Sequence, residues 1–235
     1  MNADDFKIMK FIFFIGLILT IFTATFFGQS AEINKPRKKS VTWKIDNLKK
    51  IGGNSVTILG EPKIIKTDKG KAVSFDGVDD GIFLNINPLA GMSEFTVEAV
   101  FRPEAGGGAE QRWFHIEGAE TAETRAMLEI RLNGNDWFLD TFIKSGENRL
   151  VHFAENFKHP VGIWYHIALV FDGKEMRHYV NGKLELAGNL TIKPMDNGRT
   201  SIGVRQNKVY WFKGAVRKAR FTNRALAPNE FMNEN

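Results

Sequence analysis

The chain of 235 residues contains no cysteine. That excludes a disulfide scaffold, a thiolate zinc site, a cysteine nucleophile and a lipid-anchored amino-terminal cysteine. Charge of one sign is also scarce: 32 basic against 27 acidic residues leave +5. Such a balance permits an anionic partner without naming one. No Gly-rich phosphate loop, no G-x-S-x-G and no H-x-x-x-H spacing occurs, and none of the five histidines pairs with another at a metal-ligand interval. With so small a basic excess, a nucleic-acid partner is not supported. What is present is ordinary globular material, 43% hydrophobic and 25% charged. This excludes a wholly disordered chain and allows one domain or two small ones.

One long charge-free run stands out. Residues 11–27 read FIFFIGLILTIFTATFF, preceded by Lys7 and Lys10 and followed by the small residues Gly28, Ser30 and Ala31. A basic start, an apolar centre and a small-residue end make residues 1–31 a secretory signal peptide, or an amino-terminal anchor if the segment is not cleaved. The chain is therefore expected to be secreted, periplasmic or on the cell surface, touching a membrane only in the uncleaved case. Residues 32–69 read as a basic linker and lead-in, and residues 70–235 as the main domain.

Beyond the linker the chain runs in short period-two segments broken by turn dipeptides. Thr96 to Arg102 stops at Pro103, Ala126 to Leu132 at Asn133-Gly134, Trp137 to Lys144 at Ser145-Gly146, Tyr165 to Phe171 at Asp172-Gly173, and Met176 to Val180 at Asn181-Gly182. Asn-Gly and Asp-Gly supply the positive φ of two-residue hairpins. Repeated short strands without long helical periodicity predict an all-β sandwich or barrel. Only Trp43 to Lys50 and Ala227 to Met232 carry a weak helical pattern.

Three segments in order resemble the laminin-G-like branch of the concanavalin A-like lectin/glucanase superfamily. Ala72 to Asp80 (AVSFDGVDD) with Phe95 to Ala99 (FTVEA) is similar to its "FDGVDD … FTVEAW" opening. Trp164 to Gly173 (WYHIALVFDG) with Tyr179 to Lys183 (YVNGK) is similar to "WHHVALVYDG … LYVNGK". Ser201-Ile202-Gly203, Phe212-Lys213-Gly214 and Arg220 to Leu226 (RFTNRAL) resemble the closing "IG … FKGxIDEVRIYNRAL". The resemblance implies an all-β, two-sheet antiparallel jelly-roll sandwich of concanavalin A-like type, with one sheet often concave and facing ligand. Its members bind sugars, peptides or proteins, and some are glycoside hydrolases or polysaccharide lyases, so fold does not fix function. It also ties Asp76, Asp79 and Asp80 to a calcium site, completed by an Asp-Glu pair in the closing segment. Arg217 and Lys218 stand at that pair, which disfavours calcium. Arg217 is expected to replace the metal by pairing with Asp79 or Asp80.

Strand alternation sorts the remaining polar residues. Glu129 and Arg131 share a face with Met127, and Asp140 with Phe138 and Phe142. His115 and Glu117 share one with Trp113. Arg177 falls beside Tyr179, and Tyr210-Trp211 sits in an aromatic, cationic hairpin. Charged groups among rings suit sugars, whose C–H faces stack on rings and whose hydroxyls take hydrogen bonds. The glucanase motif E-x-D-x-x-E is absent, which counts against a retaining glycosidase of that type. No catalytic or metal-ligating residue is assigned. The expected function is non-catalytic carbohydrate binding through Trp113, His115, Glu129, Arg131, Asp140, Arg177, Tyr210 and Trp211 on the concave sheet, an anionic polysaccharide being among the candidate ligands. Two alternatives stay open: a lyase or hydrolase acting on acidic polysaccharide, and a cell-envelope protein-interaction module.

Overall fold

The structure, a computed structural model, describes residues 40–119 and 123–233; the leader read at residues 1–31 lies outside them. Eighteen strands follow in chain order: β1 (Ser40–Lys44), β2 (Lys50–Ile51), β3 (Asn54–Ser55), β4 (Thr57–Leu59), β5 (Lys63–Thr67), β6 (Gly70–Asp76), β7 (Gly81–Leu84), β8 (Phe95–Pro103) and β9 (Glu110–Gly118). Then come β10 (Thr124–Asn133), β11 (Asp136–Ser145), β12 (Asn148–Phe153), β13 (His159–Pro160), β14 (Tyr165–Phe171), β15 (Glu175–Val180), β16 (Lys183–Asn189), β17 (Gly198–Ile202) and β18 (Lys213–Thr222). Sixteen of them form a sandwich of two large antiparallel sheets, and β2 and β3 pair with each other as a separate ribbon. The first has the order β16-β15-β14-β8-β18-β6-β5, with β1 added beside β18; the second has the order β12-β11-β10-β9-β17-β7-β4, with β13 beside β11. The residues read as a lead-in thus contribute β1, β4 and β5. The stretch expected to be weakly helical at Trp43 to Lys50 begins as β1, because Trp43 buries its ring edge-on against Phe221, 4.7 Å away.

Rings dominate the core between the sheets. Phe101 stacks on Trp113 at 4.4 Å, and Trp137 meets both Phe101 (5.1 Å) and Tyr165 (4.9 Å) edge-on. Such pairs add about 0.5–1.5 kcal/mol each beyond their area. The hairpin signals hold in detail at Asn181-Gly182, where φ is 49° and 77°. Asn181 Oδ1 also accepts the His166 N–H at 3.0 Å, tying the turn to the start of β14. Asn181→Ala should therefore lower stability by about 1–2 kcal/mol, since alanine resists positive φ and cannot replace the bond. Asn181→Gly, which keeps the backbone freedom, should cost less; urea unfolding of the two variants checks the order.

The outer faces of the two sheets differ, and this locates the site. On the first sheet, the segment after β18 lies across the outer face. Glu98 of β8, fully buried, accepts from Arg220 Nε (2.5 Å) and the Met232 N–H (2.6 Å) and pairs with His166 Nε2 (3.0 Å). Phe231 packs on His166 and Tyr179. On the second sheet, the outer face of β9 to β12 carries charged residues and rings.

Candidate functional site

Register places the carboxylates. Glu129 of β10 stands opposite Asp140 of β11, so alternation puts both on the outer face with Arg131, as expected from sequence. Next door, β9 departs from alternation. Its pairing runs Leu128↔Phe114 and then Ile130↔Gln111, so Arg112 and Trp113 together oppose Glu129. This β-bulge turns Trp113 and Phe114 both inward and sends Arg112 out. Trp113 is 0% exposed at the centre of the core; its expected place beside His115 on a ligand face is corrected.

The outer cluster is cross-linked. Arg112 Nε donates to Glu129 Oε2 at 2.9 Å, and Arg131 Nε to Asp140 Oδ2 at 2.8 Å. Glu110 pairs with both arginines. The Arg112 guanidinium lies 3.8 Å from the Tyr210 ring centroid, which leaves Tyr210 40% exposed. Asp140 is 1% exposed, yet its Oδ1 has no hydrogen-bond partner among the described residues. Burial and the facing Asp140 push the Glu129 carboxyl up to about 7. Burial likewise raises Asp140, against the pull of Arg131.

These groups line a cavity of 210 Å³ whose other walls are Arg125, Met127, Phe142, Val151 and Arg205. Phe153, 44% exposed, extends this surface and lies beneath Arg131, 5.4 Å from its guanidinium. Arg125 stands 5.0 Å from the Phe142 ring. Burial and the neighbouring Arg205 lower the pKa of Arg125, marking the two guanidiniums as close neighbours.

His115 belongs to the same face but is sealed, at 1% exposure. Its Nδ1 accepts the Gln206 N–H at 3.1 Å, and Nε2 comes within 3.3 Å of Glu117 Oε2 without hydrogen-bond alignment. Burial, then Arg205, Arg125, Arg199 and Arg112, drive its pKa down to about 3. It is a neutral structural imidazole at neutral pH. Arg177 does not join the group: it sits on β15 of the first sheet, bound to Asp172 (2.8 Å) and Glu175 (2.9 Å). Trp211 is partly buried near Gly81, in a loop rather than a hairpin strand. Alternation could reveal Glu129, Arg131, Asp140 and Phe142. Arg112, displaced by a bulge, and Arg205, in a loop, carried no periodic signal.

The acidic loop also departs from expectation. Asp76, Asp79 and Asp80 do converge, with carboxylate oxygens within 4.8 Å of one another. Arg217 is not among them. A bulge between Val216 and Lys218 turns it outward, and its guanidinium lies 5.3 Å from the Trp164 ring in a separate cavity. The cations lining the cavity beside the aspartates are Lys63 and Lys213. Asp80 accepts the Glu61 and Asp76 N–H groups, one on each oxygen, and Asp76 Oδ1 accepts those of Val78 and Asp79. These bonds tie the loop to its own backbone.

A family model described as the concanavalin A-like lectin/glucanases superfamily matches residues 76–231. The chain belongs to this superfamily. No curated protein sequence matches it. Solved structures of similar fold include domain 4 of AbnA, an extracellular GH43 arabinanase from Geobacillus stearothermophilus, in complex with arabinotriose. That pair shares 21% identity over 82% of this chain and 96% of that one, with a TM-score of 0.63. The binding domain of Paraclostridial Mosquitocidal Protein 1 shares 14% over 81% of this chain and 50% of that one (TM-score 0.59). A botulinum neurotoxin type C structure, described as depending on two ganglioside molecules for cell entry, shares 11% over 81% and 49% (TM-score 0.56). The chain thus spans about half of each toxin structure. At these identities the superfamily likeness is one of fold.

Proposed function

We propose that the chain is an exported, lectin-like carbohydrate-binding module that holds an anionic glycan against the outer face of β9 to β12. The observation that carries the reading is the cavity bounded by Arg112, Glu129, Arg131 and Asp140, open beside the exposed rings of that sheet. Every component has a use toward a sugar. Phe153 and Phe142 offer faces for C–H stacking. Asp140 holds the Arg131 guanidinium in place at the cavity wall. Arg125 and Arg205 supply the positive charge that suits a uronate or other acidic sugar. Fold relatives that carry arabinotriose or are linked to gangliosides agree with a sugar ligand.

Binding rather than cleavage is supported by His115, the one imidazole on this face, which is sealed and held neutral. A proton-transfer group needs reach to its substrate. A glycan array followed by titration tests the reading. Arg125→Ala and Phe153→Ala should each weaken binding of an acidic oligosaccharide by about tenfold, roughly 1.4 kcal/mol, without shifting the unfolding midpoint. Neither new reducing ends nor unsaturated uronate absorbance should appear. Product formation abolished by Arg131→Ala would establish an enzyme instead. Silence on the array, with a protein captured by cross-linking, would point to an interaction module.

A further inference from the structure

A second polar cluster lies buried between the sheets. It gathers Thr141 (β11), His152 (β12), His178 (β15) and Glu185 (β16), with His159 (β13) at its rim. His178 is 0% exposed, His152 4% and Glu185 9%. His178 Nδ1 is held by Thr141 Oγ1 at 2.9 Å, and His159 Nε2 meets Glu185 Oε1 at 2.7 Å. Four buried atoms here have no hydrogen-bond partner among the described residues: both nitrogens of His152, His178 Nε2 and Glu185 Oε2. Each such atom costs about 1–3 kcal/mol, so four in one place call for an occupant.

Spacing selects the occupant. His178 Nε2 and Glu185 Oε2 are 3.6 Å apart, too long for a hydrogen bond. Two ligands of one tetrahedral ion, bound at about 2.0–2.2 Å, stand roughly 3.3–3.5 Å apart. One water bridging the same atoms at ordinary hydrogen-bond lengths would hold them about 4.5 Å apart. The His152 and His178 ring centroids are separated by 5.3 Å, and two imidazoles on one such ion have centroids about 5 Å apart. His152 stands at 87° to His178 and must turn to aim a nitrogen inward. Gly188 lies against it, where a Cβ would sit 3.1 Å from His152 Nε2. Thr141 and His159 already do what outer-shell groups do, fixing the far nitrogen of one ligand and the far oxygen of another.

We propose that His152, His178 and Glu185 bind a divalent transition-metal ion of the zinc type, clasping the edge strands of the two sheets. Two nitrogens and one carboxylate oxygen suit zinc or cobalt, not calcium. The full chain, without a histidine tag, should retain about one Zn²⁺ after dialysis and give the visible bands of tetrahedral Co²⁺. His178→Gln and Glu185→Gln should each reduce affinity at least about tenfold, while Asp79→Asn in the acidic loop should leave it unchanged. Should His178→Gln fail to fold, His152→Gln and the Co²⁺ spectrum of the unaltered chain decide the question. Absence of retained zinc and of cobalt bands, or retention that depends on Asp79 instead, would overturn the site.

Discussion

Trp113→Ala should lower the stability of the chain by about 3–5 kcal/mol and leave its glycan affinity within about twofold of the unaltered chain. The indole is stacked on Phe101 at 4.4 Å, meets Phe114 edge-on at 6.0 Å and lies 5.8 Å from Phe212. Deleting it removes the transfer free energy of a large ring and leaves a cavity that the two sheets, each pinned by its ladder, cannot close. Phe153→Ala should do the reverse. Its ring is 44% exposed, so truncation costs little stability but removes a stacking surface. Urea unfolding and glycan titration on both variants separate the two roles. Loss of binding in Trp113→Ala with no change in midpoint would move the indole from the core to the ligand.

That contrast also marks how far local pattern can be read. Alternation in β10 and β11 is unbroken, so Glu129, Arg131, Asp140 and Phe142 could be assigned to one face from the order of residues alone. The same reasoning fails on β9, where one extra residue opposite Glu129 reverses the direction of Trp113. A second bulge, between Val216 and Lys218, likewise removes Arg217 from the aspartates. A bulge depends on the partner strand, which local alternation does not encode. Long-range packing hides the rest. Nothing within Phe95 to Pro103 signals that Glu98 will be covered by Phe231 and Met232 from the end of the chain. Nor does any spacing betray the meeting of His152 with His178 and Glu185, because β12 lies in the second sheet and β15 and β16 in the first. By contrast, Asn181-Gly182 and the other hairpin signals act within four residues, and they were legible.

Glu129→Gln should tilt the pH dependence of stability, relative to the unaltered chain, by about 2 kcal/mol between pH 6.5 and 4.5. His115 falls from an ordinary 6.5 to about 3, through burial and the charges of Arg205, Arg125, Arg199 and Arg112. Below pH 6.5 the unfolded chain therefore takes up a proton that the folded chain refuses, and stability drops with acid. Glu129 rises from 4.5 to about 7, through burial and Asp140, against Arg112 and Arg131. Between pH 7 and 4.5 the folded chain keeps a proton that the unfolded chain releases, and stability grows with acid. Each linkage is worth about 1.4 kcal/mol per pH unit, and across pH 4.5–6.5 they oppose one another. Removing the Glu129 carboxyl exposes the histidine term, so Glu129→Gln should lose stability on acidification faster than the unaltered chain. His115→Gln should show the opposite tilt, and the double variant should return to the original slope. Denaturant titrations at pH 4.5, 5.5 and 6.5 read all three. Parallel curves for the unaltered chain and both single variants would mean that neither group is held as its surroundings require, and the cluster on β9 to β11 would then be open to water rather than buried under its own ion pairs.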